Sequence, residues 1–192
     1  MTSLFLQNLQ EHNTLLAGLH TLEDAVQQAG RLAGQTLAKG GKVLFCGNGG
    51  SAADSQHLAA ELTGRFIHDR RPLAAIALST DSSALTCIAN DYSFDEVFAR
   101  QVAGLGRVGD LLIGISTSGN SRNVIRAVEE AQRLGMATVG LLGRDGGQLR
   151  SLCQHSIIVP SQVTARIQEC HILIGHIVCG MVEECYFPKD KP

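Results

Sequence analysis

The chain has 192 residues, 44% of them hydrophobic, and a formal net charge of -2 from 16 basic and 18 acidic residues. That length suits one domain with a substantial core. The balanced charge argues against a polybasic nucleic-acid or membrane-surface protein, and the absence of Trp with only 4% aromatic residues argues against base-stacking platforms.

Residues 3–38 carry helical periodicity. Leu4, Leu6, Leu9, Leu15, Leu16, Leu19 and Leu22 recur in steps of three and four, and Ala25, Ala29, Leu32, Ala33 and Leu37 continue such a face up to Gly40-Gly41. Two helices, or one with a break, precede the sheet; this apolar face is read as packing surface, part of which can meet another subunit. The apolar run 43–46 predicts the first strand, 42–46, followed by the turn Gly47-Asn48-Gly49-Gly50-Ser51 and a helix over 51–65. Pro72 marks a loop, 74–78 a second strand, and 82–89 a short helix that Asn90-Asp91-Tyr92 breaks. A helix over 94–105 leads to a third strand, 110–115, and to the polar run Ser116-Thr117-Ser118-Gly119-Asn120-Ser121. A helix over 122–134 ends at Gly135. Strand four, 138–142, runs into the turn Arg144-Asp145-Gly146-Gly147. Strand five, 156–159, is closed by Pro160; a long helix, 164–185, and a charged tail from Pro188 complete the chain.

Alternating helices and short apolar strands predict an α/β fold: a three-layer, doubly wound, five-stranded parallel sheet with an N-terminal helical segment and a long C-terminal helix. Residues 1–192 read as a single domain, with 1–38 as its N-terminal helical extension. Ligands of such sheets bind beyond the C-terminal strand ends at a topological switch point. The polar turns after the first and third strands lie at that edge.

Six cysteines, at 46, 87, 153, 170, 179 and 185, form no C-x-x-C pair, and no secretory signal is recognisable, so reduced thiols in a cytoplasmic protein are expected. The apolar run 172–182 is too short for a membrane span and contains His176 and two glycines.

The first turn is read as having free backbone N–H groups, and the helix after it carries His57 and Glu61 four residues apart, on one face. Gly47-x-Gly49-x-x-Ala52 fits a dinucleotide fingerprint only in part, because no acidic residue ends the second strand about 20 positions on. The run 116–121 offers four hydroxyls within six residues before a helix. An N-cap needs one; hydroxyls and helix N-terminal amides together suit a phosphate.

This strand–Ser/Thr loop–helix resembles the phosphosugar-binding unit of the SIS (sugar isomerase) domain family. Cys46-Gly47-Asn48-Gly49-Gly50-Ser51, His57 with Glu61-Leu62-Thr63-Gly64-Arg65, Ala89-Asn90-Asp91 and Arg166-Ile167-Gln168-Glu169 are more narrowly similar to bacterial phosphoheptose isomerases. The resemblance implies conversion of sedoheptulose 7-phosphate to D-glycero-D-manno-heptose 7-phosphate, ahead of ADP-heptose and the lipopolysaccharide core. It implies a substrate turn at Asn48, Gly49 and Gly50, a phosphate loop at Ser116, Thr117, Ser118 and Ser121, and further substrate contacts at Asn90, Asp91, Glu61 and Gln168. It implies Glu61 and His176 as the catalytic pair. It also implies one zinc per subunit on His57, Glu61, Gln168 and His176, and a homotetramer with sites between subunits.

An enediol mechanism needs a base near C1/C2 and an acid for the oxygens, roles that suit a carboxylate and an imidazole. Gln168 and His176 lie eight residues apart, about 12 Å of helix rise, and an amide is a poor zinc ligand. A carboxylate bound to metal is also a less free base. His171 shares a face with Gln168 and reads as a packed histidine with a hydrogen bond. Glu169 reads as structural or as a support behind the site residues. Arg65 has two readings, phosphate neutralisation and bracing of Glu61. The other functional class is a non-catalytic SIS module that binds the replication initiator or senses phosphosugars; such a partner-binding relative lacks the glutamate and histidine present here.

Overall fold

The strands β1 (Val43–Gly47), β2 (Ala75–Ala77), β3 (Leu111–Ser116), β4 (Ala137–Gly143) and β5 (His155–Val159) pair in parallel in the order β2-β1-β3-β4-β5. The structure, a computed structural model, describes residues 2–186. The tail from Pro188 lies outside the described residues. Every residue of β1 and β3 is buried. A strand covered on both faces needs no polar side, which is why these segments are continuous apolar runs. Side chains still alternate between the faces. Val43, Phe45, Leu111, Ile113 and Val139 join one core; Leu44, Cys46, Leu112 and Leu142 join the other.

The first core is covered by α2 (Glu23–Ala38), α3 (Gly50–Thr63) and α8 (Thr164–Tyr186). The second is covered by α5 (Ala99–Leu105) and α6 (Arg122–Arg133). These are the three layers expected. From β1 the chain goes out to β2 and returns to place β3 on the other side. The loops after β1 and β3 therefore flank the switch point at the C-terminal sheet edge.

Two close approaches bring α8 into place. Gly30 of α2 lies under Met181, where an added methyl would come 2.5 Å from the sulfur. Gly175 lies under Leu58 of α3, where a methyl would come 2.6 Å from both Cδ atoms. Glycine is what lets these helices pack backbone to side chain at such short range.

Several elements differ from expectation. The helix α4 (Ser82–Asp91) runs through Asn90 and Asp91 rather than breaking there, and ends at Tyr92, whose ring lies 3.8 Å below the Arg100 guanidinium carbon. Residues 94–105 form a 3-10 turn, Phe94–Glu96, and then α5 rather than one helix. Asp95 and Glu96 at that turn are held by Arg122 and Arg126 of α6. A single helical turn, α7 (Leu149–Leu152), was not expected; four residues carry no periodicity to read, and buried Leu149 anchors it. The N-terminal segment is α1 (Leu4–Gly18), a 3-10 turn Leu19–Leu22, and α2. The start of α1 is not packed as its leucines suggest: Leu4, Phe5, Leu6 and Leu9 are all exposed. No helix among the described residues is long and apolar enough to cross a membrane.

Candidate active site

The helices α3 and α8 meet where Leu58 sits over Gly175, and the residues beside these two are His57 and His176. Their Nε2 atoms face each other at 2.9 Å. Glu61, one turn further along α3, places Oε1 3.0 Å from the same His57 nitrogen. Only one proton fits between two facing ring nitrogens, so the trio is a compact set of lone pairs with few protons. The ligand atoms of all three lie within 4.8 Å of one another. His57 is half exposed and Glu61 mostly covered. Phe66 stacks on the His176 ring at 5.5 Å with an interplanar angle of 20°.

Two imidazoles and a carboxylate are a suitable donor set for a catalytic zinc ion, which keeps three protein ligands and an open position. Ligand atoms at tetrahedral angles on one zinc stand about 3.3 Å apart, close to the spacings seen here. Gln168, expected as a fourth ligand, packs against Gly50 at the start of α3, seven residues before His57. It makes no hydrogen bond to the three among the described residues.

The turn after β1 differs in one respect from the expectation of free amides. Ser51 N–H donates to the Asn48 carbonyl, and those of Ala52 and Ala53 donate to Gly49. Gly49 has φ 55°, and no side chain caps α3. The Asn48 side chain exchanges two hydrogen bonds of 2.8 Å with Asn123, a buried residue of α6 that sequence reasoning missed. This pair ties the β1 turn to the first turn of α6, and leaves Asn48 one N–H and one lone pair.

In that loop the Ser116 and Ser121 hydroxyls are 2.8 Å apart, and Ser116 Oγ also accepts from Gly119 N–H. Ser121 stands at the N-cap of α6 but makes no side-chain cap bond, and Ser118 Oγ accepts from Asn120 N–H. Capping thus does not explain the serines. The loop is held from behind: Gly119 carbonyl accepts from Leu149 N–H, and Asn120 Oδ1 accepts from Gln148 N–H. Gly119 has φ 67°, and any Cβ there would collide with the Gly146 carbonyl. The turn Arg144-Asp145-Gly146-Gly147 is therefore a buttress for the serine loop.

Other expected residues are placed as follows. Asn90 donates to Asp91 and Cys87 Sγ contacts Asp91, so both side chains bond within α4, at an exposed position. Arg65 is exposed and makes no ion pair with Glu61 among the described residues; the arginine that reaches Glu61 is Arg70, which donates to its carbonyl. Glu169 is held by His12 and Arg166. His171 is fully buried and hydrogen-bonds the Leu142 carbonyl at 2.9 Å, and burial lowers its pKa to about 4. Asp54, three residues before His57, has a buried carboxylate oxygen without a partner among the described residues; burial raises its pKa, and the nearby His57 opposes this. All six cysteines are free thiols, and burial pushes Cys153 and Cys179 up to about 12.

Known proteins resemble this chain in sequence and in fold. The SIS domain model matches residues 7–143. A phosphoheptose isomerase of Nitratiruptor is 63% identical over 145 residues, 76% of this chain and 78% of that one. One of Helicobacter pylori is 53% identical over 182 residues, 95% of each chain. The solved structure of phosphoheptose isomerase GmhA from Neisseria gonorrhoeae superposes with a TM-score of 0.89 at 47% identity, covering 94% of this chain and 97% of that one. The chain belongs to the SIS domain family, within its phosphoheptose isomerase branch.

Proposed function

We propose that this protein is an aldose–ketose isomerase converting sedoheptulose 7-phosphate to D-glycero-D-manno-heptose 7-phosphate, the entry to ADP-heptose for lipopolysaccharide core, in the cytoplasm. The observation that carries this reading is the convergence of His57, Glu61 and His176 from two helices, in a chain 53% identical to a phosphoheptose isomerase over 95% of its length.

In the ketose, C2 is the carbonyl carbon and C1 bears the proton to be moved. Glu61 takes that proton; the C–H electron pair becomes the C1–C2 double bond, and the carbonyl pair moves to O2. His176 gives O2 a proton, completing the enediol. The O1 proton then passes back to the imidazole, C1 becomes the aldehyde carbon, and Glu61 returns its proton to C2. Atoms and charge balance, and both groups end as they began. His57, Glu61 and His176 would hold the zinc, with Gln168 as fourth ligand by resemblance; when bound, the ion polarises the two adjacent sugar oxygens. Glu61 keeps its second carboxylate oxygen, and His176 its Nδ1, for the protons.

Ser116, Thr117, Ser118 and Ser121 bind the phosphate with the uncapped amides of α6. Asn48, Gly49 and Gly50, with Asn90, Asp91 and Gln168, contact the sugar chain. A homotetramer with sites between subunits, each formed from the whole chain as one domain, fits three features. His57 is open, Leu173 and Ile177 beside His176 are exposed, and the Asn90-Asp91 pair is exposed on α4. NMR of the purified protein with sedoheptulose 7-phosphate, and with five- and six-carbon ketose phosphates, tests the assignment. Aldose formation from the seven-carbon sugar supports it. Turnover only of a shorter sugar, or of none, contradicts it.

A further inference from the structure

We infer that the buried Arg70–Glu183 pair is the positioning element of this site, setting where Glu61 and His176 stand relative to each other. The inference rests on the isomerase reading of those two residues. Glu183 lies on α8 seven residues after His176, two turns along the same face. Its Oε1 accepts from Phe66 N–H at 3.1 Å and from Arg70 Nε at 2.8 Å. Its Oε2 accepts from the N–H groups of Ile67 and His68 at 2.9 and 3.0 Å. One carboxylate thus gathers three successive amides of the loop after α3. Burial alone would raise the Glu183 carboxyl, but the N–H groups of His68, Ile67 and Phe66, with Arg70, outweigh it and hold it below the usual range.

Arg70 completes the tie in the other direction. Its Nη2 donates to the Glu61 carbonyl at 2.7 Å, and Nη1 donates to the carbonyls of Leu62 at 2.9 Å and Gly64 at 3.3 Å. These are carbonyls of the last turn of α3, which have no partner within the helix. The arginine therefore caps the turn that carries Glu61. The first amide held by Glu183 belongs to Phe66, whose ring stacks on His176. The same ion pair thus reaches one member of the pair through its backbone and the other through a ring.

The side chains of Arg70 and Glu183 are 0% and 2% exposed. Apolar residues of similar volume often stabilise a fold as well as such a pair does. Its location under both functional residues points to registry.

The test uses Glu183→Gln, Arg70→Lys and Phe66→Leu, with kcat and KM for sedoheptulose 7-phosphate and the imidazole ¹⁵N resonances of the metal-free protein. Glu183→Gln and Arg70→Lys are expected to lower kcat about 100-fold with KM changed by less than about threefold. Phe66→Leu, which leaves the ion pair intact, is expected to lower kcat about tenfold and to move the His176 resonances while those of His57 stay. Unchanged kcat and unchanged His176 resonances in Phe66→Leu overturn the inference, including where the other two variants fail to fold. If the wild-type protein does not turn the sugar over, the isomerase reading fails, and the imidazole resonances still decide the positioning.

Discussion

His57 and His176 lie 119 residues apart in the chain, yet their Nε2 atoms stand 2.9 Å from each other. That approach depends on the neighbours of both: Leu58 covers Gly175, with no room for a methyl between them. Gly175→Ala is therefore expected to push α8 away from α3. Overpacking of this kind costs about 1–3 kcal/mol, read as a lower urea midpoint. Turnover should fall further than the stability loss explains, because a shift of about 1 Å costs up to about 100-fold in rate. Circular dichroism melts beside kcat measurements check this.

Zinc retention separates the trio from Gln168. The purified protein is expected to hold one zinc per chain, lost to a chelator. His57→Ala and His176→Ala each remove a donor from the three-atom cluster and should abolish stoichiometric zinc. Gln168→Ala, whose amide packs on Gly50, should retain a measurable fraction. Elemental analysis after gel filtration reads all three.

Gly119→Ala is expected to damage the serine loop without touching the trio. The residue has φ 67°, and a Cβ would meet the Gly146 carbonyl. A left-handed conformation costs an L-residue about 1–2 kcal/mol before that collision. If Ser116–Ser121 hold the phosphate, KM should rise and inhibition by inorganic phosphate should weaken in the same variant. Steady-state kinetics at two phosphate concentrations distinguishes this from general loss of enzyme.

Acid stability should report His171. Burial holds its pKa at about 4 against an ordinary 6.5, partly opposed by the Leu142 hydrogen bond. Between those values the unfolded chain binds the proton and the folded one does not, so stability falls as pH drops through that window and is fully present above it. The difference is worth about 3 kcal/mol. His171→Leu, which also removes a buried Nδ1 without a partner among the described residues, should flatten the urea midpoint between pH 7.5 and 5.

The parts of this molecule that local pattern encodes were legible in the sequence. Each predicted strand lies within one residue of its observed ends; β1 and β3 are buried on both faces and so are apolar almost throughout. His57 and Glu61 stand side by side on one helix, as their spacing predicts. The rest depends on long-range packing. His176 needs Gly175 and Leu58 to reach His57, and Asn123 meets Asn48 across 75 residues. Bracing of Glu61, one of the two readings of Arg65, falls instead to Arg70, five residues on, whose side chain folds back to the Glu61 carbonyl. One signal was available: Glu183 follows Gly180-Met181-Val182 in an apolar helix, and a carboxylate there requires a partner. The α7 turn was not legible, since four residues carry no period.

Turnover of sedoheptulose 7-phosphate by wild-type protein and by Glu61→Gln is the most direct test of the central claim. The amide keeps the shape and cannot take the C1 proton. The account expects aldose heptose 7-phosphate from the wild type, and a fall in kcat of about 1000-fold or more in the variant with its melting temperature and phosphate inhibition retained. A wild type without activity, or a variant near the wild-type rate, would contradict it.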